Sequence, residues 1–324
     1  MHAYTIVTEV MKSLKPHQRM LIFLLLALAL ACVVTPWMAL GADWTAARWP
    51  GFLEERVPFA RVFDRAFMIA GAIVFLAGRR HLIPSQLKSL FVVESTAAVW
   101  RSFIVGCGLA LGSIALLLAA MTLADVYTPF FRLSLADSLD RFGGALGSGL
   151  FAGFMEEVFF RGLLFLGLLE AGRPLRAYVL TNLFYAALHF VEPGEDYFLD
   201  RLEPLAGFRH LLLTFDPFLD PLGLLPGFIG LFLVGVVLSY ALARTRNLYL
   251  PIGLHAGWII ALKMVRVFGD FSRQDLGWAF GSTDPKILSG VVTWLGILLV
   301  ALAVHRLTRR DSRFLGGPPP AAAA

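Results

Sequence analysis

Along most of the chain, apolar runs of about transmembrane length alternate with short clusters of charge, proline or glycine. A membrane-spanning helix needs roughly 20 mainly apolar residues. That ruler marks segments near 20–41, 59–78, 102–124, 145–169, 177–191, 221–243, 249–267 and 288–306. The second opens among Phe59, Arg61 and Asp64, and the fifth is short. No repeat of fixed period interrupts the series. The pattern predicts an all-α membrane protein, a polytopic bundle of about eight transmembrane helices with its functional site in the bundle core.

Composition agrees with this reading. Of 324 residues, 58% are hydrophobic and 16% charged, and the mean hydropathy is +0.72. A soluble domain carries about 45–50% apolar and about 25% charged residues, so an ordinary cytosolic enzyme is excluded. Two cysteines, Cys32 and Cys107, cannot form a disulfide scaffold. The first run follows Lys12, Lys15 and Arg19 and continues past Cys32 toward Leu40, too long for a cleavable signal segment. An even number of spans puts the larger share of Lys and Arg on the side of the termini, so both termini are expected in the cytoplasm of a cell (inner) membrane. The net charge of +5 then reflects topology and no nucleic-acid partner.

Three regions follow: N-terminal helices and loops at 1–144, a core at 145–270, and a last helix with tail at 271–324. The tail, Gly316-Gly317-Pro318-Pro319-Pro320 followed by four alanines, reads as unstructured. The loop 192–220 mixes acidic residues such as Glu192, Glu195 and Asp196 with aromatics, and reads as a solvated connector with an interfacial helix.

The fourth segment is anomalous because Glu156, Glu157 and Arg161 sit near its centre. Each such charge costs about 2.5–3.5 kcal/mol at mid-bilayer, while each Leu, Phe or Val returns about 0.3–0.6. The helix therefore belongs inside the bundle with its charges paired or facing water. Glu157 and Arg161 are one turn apart and suit an ion pair. Glu156 is rotated by about 100° from its neighbour, so it points elsewhere and stays available.

Two histidines lie in neighbouring apolar segments. Asn182, Tyr185 and His189 form a polar stripe on the fifth, and His255 lies near the start of the seventh. At 1.5 Å per residue, His255, Glu156 and His189 lie at comparable depths in their segments. One shared level is reachable.

Glu156-Glu157 with Arg161, then Tyr185 with His189, then His255 together resemble the CPBP intramembrane proteases of the ABI family, the CAAX-processing and bacteriocin-processing endopeptidases. The resemblance spans about 145–270. It implies hydrolysis of a peptide bond in a membrane-associated or hydrophobic peptide or protein. Glu156 would be the general base on water, His189 would orient that water, and His255 would stabilise the oxyanion. Glu157 and Arg161 would hold the helix in register. Glu156, His189 and His255 also make a three-ligand set for Zn2+ with an open position, and the sequence leaves the zinc-dependent and glutamate-dependent routes both open. Two positions depart from the family pattern. Tyr185 replaces the usual Phe, and Ile259 replaces the usual Asn, which removes one oxyanion donor unless Asn182 or Tyr185 supplies another.

No His-Glu-x-x-His or Gly-x-Ser-x-Gly sequence offers another protease chemistry. The competing readings are a non-catalytic scaffold or immunity protein of the same family, and a transporter using Glu156, Arg161, His189 and Lys263. Expected partners are membrane lipids and the substrate.

Overall fold

The computed structural model describes residues 14, 16–49, 56–82, 87–93, 95–170, 172–191, 197–273, 275–281 and 287–310. The expectations for the tail from Gly316, and for Glu192, Glu195 and Asp196, fall outside these residues.

The helices are α1 (Pro16–Arg48), α2 (Phe59–Leu82), α3 (Thr96–Leu123), α4 (Leu135–Glu156), α5 (Leu166–Glu170), α6 (Pro174–Leu188), α7 (Ala206–Leu213), α8 (Pro221–Thr245), α9 (Tyr249–Met264), α10 (Gly277–Phe280) and α11 (Val291–Arg310). A π-helical stretch, Glu157–Phe165, joins α4 to α5 without a break. Strands β1 (Tyr127–Pro129) and β2 (Gly269–Phe271) pair antiparallel, with Tyr127 opposite Phe271, a small addition to the expected all-α architecture.

Each of the eight expected segments is helical over most of its length, but among the described residues five helices are long and apolar enough to cross a membrane. They are Leu21–Arg48, Thr96–Leu123, Pro221–Thr245, Tyr249–Val267 and Val291–Arg309. The other three segments fall short of that test for physical reasons. Helix α2 carries Arg61, Asp64 and Arg65. Helix α6 has 15 residues, about 22 Å, against a hydrocarbon core of about 30 Å. Helix α4 starts at Leu135, ten residues before the expected segment, because Ser134 caps it by accepting from the Asp137 amide at 3.2 Å, and its first turns carry Asp137, Asp140 and Arg141. An apolarity ruler misses such a polar entry.

The chain divides into two compact units. In the first, Met1–Pro84 with Ala187–Leu224, α1 packs along α2 and α7 packs on α1 around Ala31, Cys32, Phe59, Phe63 and Ala206. Arg56 ties Asp43 to Asp200 at 2.8 and 3.0 Å. His210 on α7 is buried against the rings of Phe59, Phe63 and Tyr197.

The second unit, Ser85–Ala186 with Leu225–Ala324, is organised around α9, where every residue from Leu250 to Trp258 is buried. Helices α3 and α4 pack against it with the most extensive contact in the unit. Small residues let the backbones close up. A Cβ on Gly153 would stand 2.9 Å from the Ala256 amide nitrogen, and one on Gly253 would overlap the Phe103 carbonyl. Gly149/Gly153 and Gly253/Gly257 are four-residue repeats of the kind that brings membrane helices close. Outward, Leu116, Leu123, Leu295 and Leu299 stand exposed, as lipid-facing side chains should.

Candidate active site

Glu156 is the last residue of α4 and Glu157 the first of the π-helical stretch. π-Helical turns are rare and concentrate at functional sites. Here the altered winding runs across the whole Glu157–Arg161 motif. Glu157 and Arg161 have side chains with no exposure and meet at 3.0 Å, the ion pair expected from their spacing. The other guanidinium nitrogen Nη2 donates to the Gly235 carbonyl at 3.0 Å, and the guanidinium carbon lies 4.6 Å over the Tyr185 ring. Burying both charges is tolerable because each is hydrogen-bonded as well as paired.

Helix α9 brings His255 against this pair. Its Nδ1 lies 2.8 Å from Glu157 Oε1, and its Nε2 lies 3.7 Å from Glu156 Oε2. The two carboxylates leave the helix in different directions but meet the same imidazole from its two sides. They also differ in access, because the Glu156 side chain is 32% exposed and that of Glu157 is fully buried. Glu157, expected only to fix the helix, also holds His255.

Tyr185 on α6 is buried, with its hydroxyl 3.5 Å from His255 Nε2 and its ring edge-on to Phe160. Asn182 is committed elsewhere. Its Nδ2 donates to the Tyr178 carbonyl at 2.7 Å and its Oδ1 accepts from Ser239 at 3.1 Å, so it ties α6 to α8. Of the two replacement donors considered from sequence, Tyr185 alone meets His255 in the recorded bonds. Gly235 went unnoticed in the sequence. Its carbonyl serves Arg161, and a Cβ there would stand 2.7 Å from Asn182 Oδ1.

α6 ends at Leu188, and His189 follows it directly in a turn that belongs to the first unit. Ile259 lies half-buried one turn beyond His255. Lys263 is exposed and donates to Ser148 at 2.7 Å, so it does not continue a buried stripe from His255.

Among the described residues, no three His, Cys, Asp or Glu side chains are grouped to hold a metal ion. His255 Nδ1 is held by Glu157, which leaves Nε2 facing Glu156.

The cluster thus holds two carboxylates, one guanidinium and one imidazole. Its net charge is −1 with His255 neutral and zero when the imidazole takes a second proton. It has a place to put a proton taken from water.

Residues 139–261 match the family model described as Type II CAAX prenyl endopeptidase Rce1-like. That stretch is less than half of the chain and contains Glu156, Glu157, Arg161, Tyr185, His189 and His255. No curated protein and no solved structure matches the chain.

Proposed function

We propose, from the Rce1-like domain at residues 139–261 and its place among the CPBP/CAAX proteases, that this chain is an intramembrane endopeptidase. It hydrolyses a peptide bond of a membrane-associated or hydrophobic peptide substrate with water activated by Glu156. The observation that carries the reading is the approach of Glu156 and Glu157 to opposite nitrogens of His255, with Glu157 clamped by Arg161.

Each residue has a role that follows from its surroundings. Glu156, the partly exposed carboxylate, takes a proton from water as that water attacks the scissile carbonyl. Glu157 accepts from His255 Nδ1, which fixes the tautomer and turns Nε2 toward Glu156, the orienting role that a buried carboxylate plays in a catalytic triad. His255 Nε2 then passes the proton to the leaving amine. Arg161 keeps Glu157 in place. By resemblance, His189 orients the water.

The route is written for the chain's own side chains. Washing with a chelator tests it: an unchanged rate supports the metal-free route, and a loss restored by Zn2+ would replace it. The reading puts the protein in a cell membrane, which its long apolar helices can span.

The test compares peptide termini in membranes from cells expressing the protein or its Glu156→Gln variant at matched folded levels, by quantitative mass spectrometry. A terminus lost in the variant supports the reading and names the substrate. If the termini are the same in both, the endopeptidase reading fails and the scaffold reading replaces it.

A further inference from the structure

We infer that the Tyr185 hydroxyl is a positioning group for His255, holding Nε2 in the orientation from which it receives the proton from Glu156. The inference rests on the endopeptidase reading and extends it to a residue that the reading does not need. It starts from geometry. With Nδ1–H donated to Glu157 at 2.8 Å, the neutral imidazole of His255 presents a lone pair at Nε2. The Tyr185 hydroxyl lies 3.5 Å from that nitrogen and Glu156 Oε2 lies 3.7 Å from it. A donor and a carboxylate therefore border the same ring nitrogen.

Burial separates the role of Tyr185 from that of Glu156. Tyr185 is 1% exposed, so it reaches substrate only through His255, whereas the Glu156 side chain opens to the outside of the cluster. The ring is also fixed. Arg161 lies over its face and Phe160 meets it edge-on at 5.1 Å. A hydroxyl on so constrained a ring has little freedom, which makes it a directional anchor.

The proton path balances. Water loses a proton to the partly exposed Glu156 carboxylate as the water oxygen bonds to the carbonyl carbon. The proton moves to His255 Nε2, where the Tyr185 hydroxyl turns from donor to acceptor. The imidazolium then protonates the amine as the C–N bond breaks, and acid and amine leave with His255 neutral again. Glu157 and Arg161 keep their charges throughout.

Tyr185→Phe isolates the hydroxyl, because the ring contacts with Arg161 and Phe160 remain. Loss of one buried hydrogen bond corresponds to about a 3- to 10-fold change. The expected result is a fall of that size in kcat with KM within twofold and an unchanged unfolding transition. A second measurement does not need turnover. In protein labelled with 15N-histidine, the His255 Nε2 resonance should move in Tyr185→Phe and stay in place in Tyr240→Phe, whose hydroxyl instead meets His305. If kcat and the His255 resonance are both unchanged in Tyr185→Phe, or if the loss lies in KM alone, the inference is overturned. Wild-type kinetics in Tyr185→Phe beside an inactive Glu156→Gln would sink this inference alone. Full activity in Glu156→Gln would sink the role given to Glu156, and the resonance would then decide the Tyr185 contact by itself.

Discussion

Arg161 and Glu157 face each other at 3.0 Å with neither side chain exposed, one turn apart on a π-helical stretch inside an apolar unit. Such a pair is an orienting device more than a source of stability, because desolvation offsets most of its attraction. Its value here is that the same Glu157 oxygen also takes His255 Nδ1.

Arg161→Ala leaves Glu157 buried and short of its cation. The expected cost is about 3–5 kcal/mol. It should appear as reduced folded yield and an earlier thermal transition in detergent. Arg161→Ala combined with Glu157→Gln should recover a substantial part of that loss, since the uncompensated charge is then gone.

Glu157→Gln keeps the size of the side chain and an acceptor for His255 but removes the charge that holds the imidazolium. Cleavage should fall by at least tenfold with the substrate KM little changed, measured in a purified peptide assay. A variant with wild-type kcat would show that Glu157 serves the fold only.

Gly253→Ala tests whether the site depends on the approach of α9 to α3. The added methyl would collide with the Phe103 carbonyl, a backbone group that has no rotamer to escape into. Loss of the folded protein, or a fall in its transition by several degrees, is expected. Ala at exposed Gly108, where a Cβ meets nothing within 4 Å, should be neutral.

Acidification should loosen the first unit through His210. Burial among Phe59, Phe63 and Tyr197 lowers its pKa, and the charge of Asp64 only partly counters this. The fold favours the neutral imidazole, so the associated stability is full above the ordinary histidine pKa of about 6.5 and is lost as pH falls below it toward the lowered folded value. Unfolding transitions recorded from pH 7.5 to 5 should show this loss, and His210→Phe should remove the pH dependence.

The apolar runs by themselves determined that the chain is an all-α membrane protein, because the bilayer tolerates few other ways of satisfying a backbone. Spacing also determined the Glu157–Arg161 pair, since residues four apart on a helix are neighbours whatever surrounds them. Three things waited for the tertiary structure. The number of helices able to span depends on where polar entries such as Asp137 and Asp140 are absorbed, which a window of hydropathy does not register. That Glu156 and Glu157 border one imidazole was not legible, because angular offset on one helix says nothing about where a second helix places its side chain. His189 follows directly on the last residue of α6, and helix ends are set by local backbone bonding that periodicity does not reveal. A sequence carries the chemistry of its side chains, but contacts between distant segments such as Glu157 and His255, 98 residues apart, exist only once close helix packing through glycine has brought them together.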